Sequence, residues 1–195
     1  MTEVVFLQEK RIGECIGCFT CWIKTPGTCV QKDDMAELVE KLKRTDLMIL
    51  ATPVYVDGMT GQCKHFLDRL LPLLDPHYEI RDGYFRHVVK EKFCDKIFLV
   101  SVCAFHEMDN FDALVLHVKR AARNLKMDYV GEILRPAVYS LDMKKGRSDA
   151  IGGVMEAVQK AGKELVENGI VSEKTCQEAA GKIVSREAYL RTLNR

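Results

Sequence analysis

Apolar positions in this chain fall into short unbroken runs separated by stretches of helical period, a pattern that predicts strands alternating with helices. The run Leu47–Ala51 carries no charge and no alternation. It is too short for a free-standing helix and reads as a strand buried on both faces. Pro53 has no N–H to donate and ends it. Val54, Tyr55 and Val56 continue as extended chain, and Gly58 and Gly61 let the backbone turn. Beyond Gly61 the period becomes helical, with Cys63, Phe66, Leu67 and Leu70 on one face and Lys64 and Asp68 on the other. The stretch Asp46–Leu71 is therefore strand, irregular loop and helix. In an open α/β sheet, the loop leaving the carboxyl end of a buried strand is where ligands sit.

The same reading extends along the chain. Thr2–Leu7 is a strand candidate. A helix begins at Asp33-Asp34-Met35, with Asp34 and Glu37 as a capping box and Met35, Leu38, Val39 and Leu42 as its apolar stripe. Strand, helix, strand in that order implies a right-handed parallel crossover. Residues 72–95 lose periodicity and read as a long loop, whose Arg81, Arg86 and Lys90 are open to two readings, a solvated surface, which is favoured, or contact with a pyridine-nucleotide phosphate. Lys96–Cys103 is the next buried strand, followed by a loop through His106. Asn110–Lys126 is an amphipathic helix, with Phe111, Leu114, Val115, Val118 and Leu125 inward, and Tyr129–Leu134 is a last strand ended by Pro136. From Asp149 to Asn168 a helix turns Ile151, Val154, Met155, Val158, Ala161 and Leu165 to one side, with Gly169 as its C-cap. Ser172–Arg195 reads as a short capped helix and a second helical stretch that packs against the body or a second subunit. No repeat, low-complexity tract or linker divides the chain. The expectation is a single domain over 1–195, with an α/β core to residue 145 and a helical extension over 146–195.

Composition narrows the function. A chain of 195 residues can build one sizeable core. A net charge of +1 points neither to nucleic acid nor to an anionic membrane surface. No apolar run approaches the ~20 residues that span a bilayer, and the N-terminus does not have a signal-peptide pattern. The expectation is a cytoplasmic protein without nucleic-acid or membrane partners.

Eight cysteines are many for such a chain. In a reducing compartment they do not suggest a disulfide framework. Cys63, Cys94, Cys103 and Cys176 sit among apolar neighbours or in a helix and read as small buried hydrophobes. The others, Cys15, Cys18, Cys21 and Cys29, are spaced C-x2-C-x2-C-x7-C. Three thiols at a constant offset let one tight loop wrap an iron–sulfur cluster. Zinc prefers two separated pairs. Cluster, redox-active or packed thiols, and zinc all stay open on spacing alone. No Ser/His/Asp or paired-carboxylate arrangement can be assigned, so no catalytic side chain is named, and His106 has no partner in the sequence that would make it a proton donor.

Thr52-Pro53-Val54-Tyr55, with Gly58, Gly61, Lys64, Phe66, Asp68 and Arg69 behind it, resembles the flavin-contacting segment of the NAD(P)H-dependent FMN reductases, which are flavodoxin-like oxidoreductases. The cysteine segment resembles the compact motif of iron–sulfur flavoproteins, a branch of the same superfamily in which a 4Fe–4S cluster lies beside the flavin. The resemblance implies a flavodoxin-like open parallel sheet with helices on both faces. It also implies FMN as cofactor, NAD(P)H as co-substrate, and a small-molecule or protein electron acceptor. Thr52, Pro53, Val54, Tyr55, Val56, Asp57 and Gly58 would hold the ring on one side, and Ser101, Val102, Cys103, Ala104 and Phe105 on the other. Cys15, Cys18, Cys21 and Cys29 would be the cluster ligands, and a homodimer or higher homo-oligomer would complete the site.

The resemblance departs from the family at its beginning. Members start with another strand, a Gly-Ser/Thr-rich turn that cradles the FMN phosphate, and a helix, and no GSPRxxSNT-like stretch occurs here. The first strand and helix are thus expected to be lacking, as in a fragment or a chain whose start is assigned too late. A strand supplied by another copy, or a closed-up sheet without FMN, are the other accounts. The alternative function is a non-catalytic metal-binding or interaction module on a truncated flavodoxin-like fold.

Overall fold

The short apolar runs do become strands. In the computed structural model, which describes residues 2–141 and 149–194, β1 spans Leu47–Pro53. Before it lie the one-turn helix α1, Thr20–Ile23, and α2, Met35–Leu42. The helix α3, Gly61–Asp68, follows, capped by the Thr60 hydroxyl, which accepts from the Cys63 amide at 3.4 Å. Further along are β2, Leu74–Arg81, β3, Tyr84–Val89, and β4, Lys96–Val102. The chain continues through α4, Asp112–Leu125, β5, Asp128–Arg135, and α5, Asp149–Asn168. It ends with α6, Glu173–Ala179, and α7, Arg186–Leu193. Strands β1, β4 and β5 form a parallel sheet in the order β1-β4-β5, an α/β arrangement. The expected boundary near residue 145 lies outside the described residues.

The chain divides into two compact units. The first comprises 1–48, 60–96 and 120–128; the second comprises 49–59, 97–119 and 129–195. In the first, α2 buries Met35, Leu38 and Leu42, and α3 with its continuation buries Cys63, Phe66 and Leu70. In the second, Ile97, Phe98 and Leu99 of β4 are consecutively buried, as a strand covered on both faces should be. Phe111, Leu114 and Val118, at the start of α4, are fully enclosed. Replacing Leu114 with alanine is expected to lower stability by about 2–5 kcal/mol, read from the midpoint of chemical denaturation.

Several expectations are corrected. Strand β1 is not buried on both faces: Met48, Leu50 and Thr52 are buried, whereas Ile49 and Ala51 are exposed. It stands at the edge of the sheet, so only one of its faces is covered among the described residues. Thr2–Leu7 forms no strand. It runs irregularly into a single 3₁₀ turn at Leu7–Glu9, with Val4 and Phe6 exposed, because no partner strand lies beside it among the described residues. Residues 72–95 are not a loop but carry the β2–β3 hairpin, whose Asp82-Gly83 corner has φ of 52° and 78°. Two consecutive positive φ values make the type I′ turn that Asp-Gly favours, a signal present in the sequence and overlooked there. On α5, Met155 and Val158 face outward, and Ala157 takes a buried place instead. Asp34 does not cap α2. Its carboxylate accepts the Arg11 amide at 2.8 Å, while Asp33 takes the Met35 amide at 3.2 Å.

Candidate functional site

In the first unit the cysteine motif folds into one tight loop. Gly17 and Phe19 both take left-handed backbone, φ 63° and 52°. Placed between the cysteines, these two positions reverse the chain so that successive thiols turn the same way. The glycine suits this because a side chain there is strained whatever the space around it. Cys15, Cys18, Cys21 and Cys29 line a single pocket together with Phe19 and Arg69. The structure therefore brings together all four residues that spacing selected. Among the described residues, no group of three or more His, Cys, Asp or Glu closes on a single ion.

Their environments differ. Cys15 and Cys18 are exposed, Cys29 is half-buried and Cys21 is buried. The Thr20 hydroxyl and amide hold the Cys18 thiol below its ordinary range. Burial pushes the Cys21 thiol up, and the nearby Cys29, Cys15 and Cys18 sulfurs push it further. Each of those three sulfurs is close enough to act on Cys21, so the motif behaves electrostatically as one cluster of thiols.

Two residues distant in sequence anchor this loop. The Arg69 side chain is 1% exposed and pairs with Asp33, 8% exposed, through Nη1–Oδ2 at 2.7 Å and Nη2–Oδ1 at 3.0 Å. Arg69 Nη1 also donates to the Gly13 carbonyl at 2.8 Å, and the Gly13 amide donates to Asp33 at 2.9 Å. Burial alone would raise the Asp33 carboxyl; hydrogen bonds from Arg69 and from the Gly13 and Met35 amides outweigh it and hold the pKa below the usual carboxylate range. Arg69 was grouped in the sequence with the ring-contacting helix. The structure places it at the cysteine pocket, and Asp33 is the partner that the capping pattern hid. Beside them the Trp22 indole donates to the Leu71 carbonyl at 3.2 Å and stacks between Phe19 and His87, with ring centroids 5.2 and 4.8 Å away.

In the second unit the loops leaving β1 and β4 lie side by side. The Val54 amide donates to the Val102 carbonyl at 2.9 Å, and the Ser101 hydroxyl to the Thr52 carbonyl at 2.7 Å. Thr52, Ser101 and Cys103 are buried, so their side chains brace the two loops rather than face a ligand. Pro53 ends the ladder, as its missing donor requires. Tyr55 and Gly58 exchange backbone hydrogen bonds of 2.9 and 3.1 Å around Val56 and Asp57, whose φ values are 49° and 59°. Left-handed backbone is unfavourable for a β-branched residue, and Val56 is fully exposed at the tip, with nothing around its side chain in compensation. Strain of this kind collects at ligand-binding loops. Val56→Gly is expected to raise stability by up to about 1 kcal/mol, read as a higher melting temperature, because the substitution removes the strain and no buried contact.

Tyr55 and Phe105 are the exposed aromatic groups of the two loops, at 65% and 63%. Ala104 sits between Cys103 and Phe105 and is held from behind: Tyr189 of α7 donates its hydroxyl to the Ala104 carbonyl at 2.6 Å. The Ala137 amide donates to the Phe105 carbonyl at 2.7 Å. His106, whose ring nitrogen lies 3.2 Å from the Val184 carbonyl, is a tether to the C-terminal segment. The helical tail packs onto the loop that follows β4, a long-range contact with no local sequence signal.

Residues 1–134 match the family model described as NADPH-dependent FMN reductase. Among curated proteins, an iron–sulfur flavoprotein of Archaeoglobus fulgidus is 49% identical over 70 residues, 36% of this chain and 31% of that protein. An iron–sulfur flavoprotein of Methanocaldococcus jannaschii is 42% identical over 72 residues, 37% of this chain and 36% of that protein. The matched stretch thus spans about a third of the length of these relatives. Among solved structures, the FMN-dependent NADH-azoreductase of Bacillus anthracis in complex with FMN is similar over 72% of this chain and 71% of its own, with 12% identity and a TM-score of 0.48.

Proposed function

This chain belongs to the NADPH-dependent FMN reductase family, and from that membership we propose that it is a flavin-dependent oxidoreductase with an iron–sulfur centre. FMN would supply acceptance of electrons in pairs from NAD(P)H and their release one at a time. The chain's own residues hold and orient. Thr52, Pro53, Val54, Tyr55, Val56, Asp57 and Gly58 would form one wall of the flavin site, with the exposed Tyr55 flanking the ring. Of Ser101, Val102, Cys103, Ala104 and Phe105, the exposed Phe105 would meet the other edge, while the buried Ser101 and Cys103 hold the loop in place.

The observation that carries the reading is the strained, fully exposed turn at Val56-Asp57, fixed to the end of β4 by the Val54 and Ser101 hydrogen bonds. Cys15, Cys18, Cys21 and Cys29 would ligate a 4Fe–4S cluster. A ring of four thiols about one pocket suits a multi-iron centre better than a lone tetrahedral ion, whose thiolates stand at about 2.3 Å. Relatives named iron–sulfur flavoprotein support this reading. Electrons would pass to a small-molecule or protein acceptor in the cytoplasm, with a second copy of the chain completing the flavin site. No helix among the described residues is long and apolar enough to cross a membrane.

The test is the visible absorption spectrum of anaerobically purified protein, repeated after adding FMN. Flavin bands on the protein, with a broad brown absorbance from the cluster, are the expected result. A colourless protein that ignores added FMN overturns the proposal and favours a binding module without catalysis.

A further inference from the structure

Arg69 presents five N–H donors, and Asp33 and the Gly13 carbonyl take three of the four on its terminal nitrogens. Its Nε has no hydrogen-bond partner, although the side chain is 1% exposed. A buried donor left unmet is costly, and such exceptions call for an explanation. The residue lines the same pocket as Cys15, Cys18, Cys21 and Cys29. A buried cation with an unmet donor thus shares the wall of the pocket that the four cysteines line. Asp33 fixes the guanidinium in place from the other side.

We propose that Arg69, oriented by Asp33, is a positioning residue for the cysteine-held centre, supplying a fixed positive charge and an N–H donor to sulfur and thereby setting its reduction potential. This rests on the iron–sulfur reading of the same pocket. The physical basis is direct. One-electron reduction adds a negative charge to the centre, and a cation held nearby in a medium of low dielectric favours the reduced state. Hydrogen bonds to sulfur and local net charge are among the levers that set cluster potentials. The Asp33 carboxylate opposes the effect in part, so the two members of one ion pair have opposite influences on the same centre. A purely structural clamp has no such opposition of sign.

The experiment uses the full chain, reconstituted anaerobically with iron and sulfide, as wild type, Arg69→Met, Arg69→Lys and Asp33→Asn. Iron and sulfide are counted per chain, and the midpoint potential is measured by a dye-mediated titration followed by electron paramagnetic resonance. Arg69→Met shifts the potential to more negative values, Arg69→Lys stays nearest to wild type, and Asp33→Asn shifts it to more positive values. Should Arg69→Met fail to assemble a centre, Asp33→Asn decides: a positive shift supports the proposal, and an unchanged potential overturns it. Variants that hold less iron but keep the wild-type potential show a structural clamp only and overturn it, as do shifts of the same sign from Arg69→Met and Asp33→Asn. A wild-type chain that takes up no iron and sulfide overturns the iron–sulfur reading and the role of Arg69 together. A loaded wild type with unmoved variants overturns the role alone.

Discussion

Replacing any one of Cys15, Cys18, Cys21 or Cys29 with serine is expected to abolish assembly of the proposed iron–sulfur centre, so that iron and sulfide retained after anaerobic reconstitution fall to background and the brown absorbance is lost. Thiolate is the ligand that such clusters require, and all four sulfurs ring one pocket with no further cysteine among its lining residues. The contrast lies in what each substitution does to folding. Cys15 and Cys18 are exposed, so their loss removes ligands while leaving stability nearly unchanged. Cys63, Cys94 and Cys103 are buried away from that pocket. Serine there replaces a packed sulfur with a smaller oxygen and is expected to destabilise by about 0.5–3 kcal/mol, with iron uptake by the folded fraction retained. Retention of the centre by the Cys15→Ser and Cys18→Ser proteins would show that these thiols are packing or redox groups. Zinc in place of iron in the isolated protein would favour the structural-metal reading.

The second large effect is expected at the ion pair. Asp33→Ala strands a guanidinium that is 1% exposed and is expected to cost about 3–5 kcal/mol, measured by urea denaturation. Replacing both members with apolar residues, Asp33→Leu with Arg69→Met, recovers most of that loss, because the net worth of a buried pair is small while a buried lone charge is costly. The same pair introduces a pH dependence. The folded-state pKa of Asp33 lies below its unfolded value of 3.8. The stabilisation is therefore complete above that value and is lost as the pH falls through the lower folded pKa. Acid titration of stability should show this loss in the wild type. In the double variant the Asp33 contribution to it is absent.

These two effects fall on residues that the sequence treated unequally. Constant spacing picks out Cys15, Cys18 and Cys21 because loop wrapping is local, and Cys29 follows within the same segment. Periodicity likewise locates α3, α4 and α5, whose apolar stripes are set by 3.6 residues per turn whatever surrounds them. The resemblance carried by Thr52-Pro53-Val54-Tyr55 agrees with the family match. The Asp-Gly corner of the β2–β3 hairpin was equally local and legible in the sequence.

What pattern could not supply is whatever depends on a partner far along the chain. Val4 and Phe6 are good strand formers, yet no strand forms, because a strand needs a neighbour to take its hydrogen bonds. Ile49 lies in a run that looks doubly buried and is exposed, because the covering of a sheet face is decided by which helices pack there. Arg69 and Asp33 stand 36 residues apart, and Tyr189 and Ala104 stand 85 apart. Periodicity over a few turns contains no information about such pairs. By itself the sequence determined the helices α3, α4 and α5, the family resemblance and the four clustered cysteines. Only the tertiary structure decided which buried charge shares their pocket, because burial turns an ordinary helix-end arginine into a fixed cation at the pocket wall.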